Sequence, residues 1–170
     1  MSYDSAVTVA NIVRDAGGRI VGRTRLQKVA YLLTVTGLEA TFSFAYKHFG
    51  PFSEGLASAA READLFSLLT ETENQANWGG TYSTFTVSEA LPDGVPASRV
   101  QLASAGAEAD AIELELAATA VYLAREGVAA AWAETARRKP EKAAQGRLER
   151  AKELYRRLRA IQTPVPLPNI

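Results

Sequence analysis

Gly22-Arg23-Thr24-Arg25-Leu26-Gln27-Lys28-Val29-Ala30-Tyr31-Leu32-Leu33, followed by Tyr46-Lys47-His48-Phe49-Gly50-Pro51-Phe52-Ser53, is the stretch whose reading decides the fold. Thr24 and Gln27 have the spacing of a capping box, in which the hydroxyl accepts from a backbone N–H one turn on and the amide reaches back to the cap. That predicts a helix start. Behind it Leu26, Val29, Ala30 and Leu33 share one face at the 3.6-residue period, with Tyr31 and Leu32 widening it. Gly37 ends the helix. Thr41 to Tyr46 then alternates polar and apolar side chains, a strand pattern. In Gly50-Pro51-Phe52-Ser53, Pro51 suits the entry to a helix and Ser53 can cap it.

Working outward, Asp4 or Ser5 can cap a first helix with Ala6, Val9, Ile12, Val13 and Ala16 on its inner face, ended by Gly17-Gly18. Arg19 to Val21 reads as a short extended piece. Beyond Ser53, Leu56, Ala59, Ala60 and Ala63 make the buried face of a third helix. Residues 69–73 and 82–88 read as strands joined by the loop 74–81, which resembles a wing. After the connector 91–96, Ser98 is expected to cap one long helix running to Gly127, followed by a short helix around Trp132 and a last one started by Pro140. Removal of the inserted strand leaves the order of a winged helix. The expectation is therefore an α+β, mainly helical fold: a winged-helix-like part with a small antiparallel sheet over 1–90, a helical part over 97–162 packed on it as one domain, and an extended tail over 163–170.

These residues resemble a known family. Arg23-Thr24-Arg25-Leu26-Gln27-Lys28 with Tyr31-Leu32-Leu33, then Tyr46 to Ser53 with Leu56 and Asp64-Leu65, is similar to the YwgA-like family of prokaryotic proteins. The same Leu-Gln-Lys helix and Gly-Pro turn resemble, more distantly, the Panacea domain of SocA-like antitoxins; the connector and helical tail depart from that pattern. Leu116 to Leu123 and Lys139-Pro140 also look like the YwgA-like family. The Panacea resemblance implies a protein that neutralises a partner by binding it. Neither resemblance supplies a catalytic residue set.

Composition narrows the function classes. The chain has 170 residues, 47% hydrophobic and 22% charged, enough for a real core. There is no cysteine, hence no disulfide framework or thiolate nucleophile. No apolar run reaches the roughly 20 residues that span a bilayer. A bacterial, cytoplasmic protein without a membrane role or a cofactor is the expectation. Net charge is zero, yet residues 137–159 carry ten basic and three acidic side chains. That asymmetry fits either a polyanion contact or a solvated helix face.

Chemistry-bearing patterns are few. His48 is the only histidine, and Ser53 and Glu54 beside it suit capping better than nucleophile activation. No HxxxH or HxH spacing suggests a metal. Arg23, Arg25 and Lys28 stand where a helix disfavours cations, since the N-terminus is the positive end of the macrodipole. They are candidates for contact with an anion or nucleic acid; the plainer reading pairs the arginines with Asp15, Glu54 or Glu62 and leaves Lys28 in water. Trp78, beside Gly79-Gly80, either anchors a partner or folds back onto the domain; with His48 it is the candidate partner contact. The expected function is a non-enzymatic module binding a protein partner, antitoxin- or adaptor-like. Nucleic-acid binding through the cationic helix start and the basic C-terminal helix is the alternative, and a hydrolase centred on His48 a second one. Homo-oligomerisation stays open.

Overall fold

Residues 3–170 are described by the computed structural model of the chain. Helix α1 (Tyr3–Asp15) buries Ala6, Val9, Ile12 and Val13 on one face, as its period requires. Strand β1 (Arg19–Val21), helix α2 (Arg23–Val35), helix α3 (Glu54–Leu65) and strands β4 (Thr70–Gln75) and β5 (Thr81–Thr86) follow in that order. Between α2 and α3 is inserted a hairpin of β2 (Ala45–Lys47) and β3 (Gly50–Phe52). The three-stranded antiparallel sheet has the order β1-β5-β4, so the first strand pairs with the last. Opposite Ile20 lies Phe85, and both are buried beneath the helices. This is a winged-helix-like order of elements and strands, with a hairpin inserted before its third helix.

The rest of the chain is helical: α4 (Ala97–Glu108), α5 (Ala111–Arg125), α6 (Ala131–Arg138), α7 (Pro140–Ala143) and α8 (Arg147–Arg159). Helix α5 is apolar nearly all round, with Leu114, Leu116, Ala117, Ala118, Ala120, Val121 and Leu123 buried, so it must lie in the interior. Its Leu114, Ala117, Ala118 and Val121 share one continuous core with α1, α2, α3 and α8. The tail over 163–170 is extended and docked. Val165 N donates to Thr36 O at 2.9 Å, Leu167 enters the core, and the Tyr155 hydroxyl donates to the Pro168 carbonyl. No helix among the described residues is long and apolar enough to cross a membrane.

Several local expectations are corrected. Asp4 and Ser5 lie inside the first turn of α1 rather than capping it. The capping box is absent: Gly22 is the N-cap of α2, with φ 91°, and no side chain caps it. Residues 41–44 form no ladder, although Phe42 is buried and its neighbours exposed. Pro51 sits in β3 opposite Tyr46, tolerated because a two-stranded hairpin has only edge strands. The wing is a tight turn over 76–80, closed by Ala76 N to Gly80 O at 2.8 Å. The long helix from Ser98 is two helices; Asp110 caps the second, accepting from Ile112 N and Glu113 N. Pro96, not Ser98, precedes the first. Gln145 and Gly146, both at positive φ, likewise divide the last helix into α7 and α8.

Candidate functional site

The two halves of the opening motif meet in space. Gln27 Nε2 donates to Ser53 O at 3.0 Å, and its Oε1 accepts from Ser53 N at 2.8 Å, so one buried amide satisfies both backbone groups of Ser53 at the hairpin exit. Lys28 Nζ donates to Pro51 O at 2.9 Å, and Lys139 Nζ donates to His48 O at 2.9 Å. Glu115, on α5, accepts from Lys139 at 2.9 Å and from Lys142 at 2.7 Å. Gly50 closes the turn at φ 91°, where a Cβ would stand 2.5 Å from Thr119 Oγ1. The hairpin is thus fixed by side chains from α2, α5 and the α6–α7 junction. Its tip faces outward.

Lys28 is only 1% exposed, so it belongs to this buried cluster and not to a surface anion site. Burial lowers its ammonium to about 8; the Glu115 carboxylate opposes the shift, and Lys139 and Lys142 add to it. Between pH about 8 and the ordinary 10.5, the unfolded chain holds a proton that the folded chain has released. Stability from this group therefore rises with pH across that window and is lost as pH falls back through about 8. Wild type should gain about 3 kcal/mol over Lys28→Met across the window, read by urea unfolding at several pH values.

Above the hairpin tip lies a cleft of about 700 Å³. One wall is the start of α2 with Val21 to Arg25, and the other is the wing sheet with Glu73, Thr81, Tyr82 and Ser83. Phe49 from the hairpin, Trp78 from the wing and Ala111 at the start of α5 complete it. Trp78 is 76% exposed and Phe49 is 54% exposed, values that water penalises for large apolar groups. The indole lies across Gly80, leaving no room there for any Cβ. Trp78 therefore rests on its own wing without entering the core. Lys142 Nζ sits 4.5 Å from the Phe49 ring centroid, a cation–π contact that holds the ring at the tip.

The sequence candidates fall in different places. Arg23, Arg25 and Trp78 converge on the cleft; Lys28 and His48 do not line it. Arg23 pairs with Glu71 at 2.9 Å and remains largely exposed. Arg25 donates to Ala109 O at 2.9 Å and Val21 O at 3.0 Å, which explains its position: it begins α2 but caps the negative end of α4. None of the pairings expected for the arginines forms. Asp15 instead binds Arg14 and Arg99, and Glu54 lies 4.0 Å from Lys47. His48 is exposed on the hairpin turn, and the Ser53 hydroxyl near it caps α3 through Leu56 N. Among the described residues no group of three or more His, Asp or Glu could hold a metal ion. Phe49 and Tyr82 were missed; an aromatic next to Gly50 at a turn was the available signal for the former.

Charge on the remaining surfaces is uneven. Helix α3, in the position of a winged helix's third helix, carries Glu54, Glu62 and Asp64 against Arg61 alone. From Glu62 to Ser98 the chain has no Lys, Arg or His, so the wing is acidic too. The basic stretch over 137–159 is largely committed internally. Arg137 and Arg138 pair with Glu134, Arg150 with Glu113, Lys152 with Glu149 and Arg156 with Glu153. Arg147 donates to the carbonyls of Glu141 and Lys142. Compared with protein-family models, with curated proteins and with solved structures, the chain matches none of them.

Proposed function

We propose that the chain is a non-enzymatic binding module, adaptor- or antitoxin-like, whose wing cleft receives a segment of a protein partner. The observation that carries this reading is the gathering of exposed Trp78, Phe49 and Tyr82 around one cleft. Aromatic side chains with few rotatable bonds supply contact area at low entropic cost, the character of binding hot spots. The distant resemblance of Leu26-Gln27-Lys28 and Gly50-Pro51 to the Panacea domain implies a binding role of the same kind. The nucleic-acid alternative is weakened by charge. Duplex binding draws its affinity from cations that displace counterions, and here the third helix and wing present carboxylates.

The test has two arms. A labelled DNA duplex at micromolar chain and about 50 mM salt should show no shift, because that is where phosphate contacts are strongest. A stoichiometric protein partner should co-purify from native lysate with wild type and be lost with Trp78→Ala. Salt-sensitive DNA binding, or a partner retained equally by the variant, would count against the reading.

A further inference from the structure

Helix α3 ends on an apolar patch away from the cleft-lining residues. Leu65 is 79% exposed and Phe66 47%, and the Phe66 ring meets Tyr3 of α1 at 5.5 Å between centroids. Both rings and the leucine therefore form one surface rather than scattered side chains. Exposed carboxylates adjoin it along the chain, Asp4 next to Tyr3 and Asp64 next to Leu65. Asp64 spends one oxygen on Glu71 N at 2.9 Å, which fixes its carboxylate in place, and it forms no salt bridge among the described residues. The one nearby cation on the helix, Arg61, is turned to Ser58.

We infer that this patch is a second docking surface, for a protein segment rich in Lys and Arg that carries an apolar anchor. The inference rests on the reading of the chain as a protein-binding module but uses a different face. Charge selects the occupant. Exposed Asp4 and Asp64 flank the patch, and the chain has no Lys, Arg or His from Glu62 to Ser98, a charge that disfavours nucleic acid and acidic peptides alike. An apolar patch flanked by the carboxylates of Asp4 and Asp64 is complementary to a basic segment whose anchor fills the space over Leu65 and Phe66 while its ammonium or guanidinium groups meet those carboxylates.

Random 16-residue peptides displayed on phage and selected on the immobilised full-length chain provide the probe, with enriched peptides then titrated in solution. Enriched sequences should be net positive with one aromatic or aliphatic anchor. Their affinity should fall at least tenfold on Leu65→Ser/Phe66→Ser, a change at exposed positions that leaves the thermal midpoint in place. It should fall several-fold on Asp64→Asn, which keeps an acceptor for Glu71 N and removes only charge. Trp78→Ala should leave it unchanged. Peptides that are neutral or acidic, or that ignore the double substitution, would overturn the inference. Peptides lost only on Trp78→Ala would overturn it while favouring the cleft, and an empty selection would oppose both. A dimer in sedimentation dispersed by Leu65→Ser/Phe66→Ser would assign the patch to a second copy and overturn it as well.

Discussion

Glu115→Gln is expected to lower folding stability by about 3–5 kcal/mol, a large share of the roughly 5–15 kcal/mol available to a domain. Glu115 is buried, and its two oxygens accept from Lys139 and Lys142. It is also the carboxylate that favours the charged form of Lys28. The neutral amide can still accept a hydrogen bond, but its Nε2 would face ammonium donors. Three cations would then stand at the base of the hairpin without a counter-charge. Removing one partner of a buried ion pair costs more than removing both, because the survivor stays desolvated and unpaired. The double variant Glu115→Gln/Lys139→Met should therefore recover part of the loss, although His48 O forfeits its donor. Chemical denaturation of the four proteins in the cycle measures the coupling. Equal stability of Glu115→Gln and wild type would refute the cluster as the support of the hairpin.

Trp78→Ala is expected to weaken partner binding by about 2–4 kcal/mol, roughly 30- to 1000-fold, while changing folding stability by no more than about 0.5 kcal/mol. The asymmetry follows from position. An exposed indole resting on its own wing contributes little to the core, and its loss removes a large apolar surface only when something covers it. Phe49→Ala should behave alike but milder, since the smaller ring is already partly engaged by Lys142. Titration calorimetry with the co-purified partner and thermal unfolding of the free chain separate the two effects. A variant that loses stability in proportion to affinity would make Trp78 a structural residue.

Local patterns made much of this architecture readable. The 3.6 period of Ala6, Val9, Ile12 and Val13 and the Ser53 cap concern partners within a few residues, and both stand in the structure. Gln27 shows where such reading ends. Its spacing from Thr24 fits a capping box, but the backbone of Ser53, 26 positions away, outcompetes the local donor because both residues are buried and need each other. Lysine is seldom buried unpaired, so the sequence alone places Lys28 at the surface. Glu115 and Lys139, which set its environment, lie far along the chain. The break before α5 was within reach: Asp110 three residues ahead of Glu113 is itself a helix-start signal. For the cleft, Arg23, Arg25 and Trp78 were legible one by one. Their convergence with Phe49 and Tyr82 depends on the sheet pairing and the hairpin's anchorage.

The chain has two tryptophans that report on different regions: Trp78 at the cleft, and Trp132 edge-on to Tyr155 at 5.8 Å between ring centroids within the helical part. Each gives one indole N–H signal in a nitrogen-labelled spectrum. On titration with the co-purified partner, the Trp78 signal should shift or broaden at low occupancy while that of Trp132 stays in place. A Trp78 signal that remains unmoved as the complex forms would contradict the cleft as the site of binding.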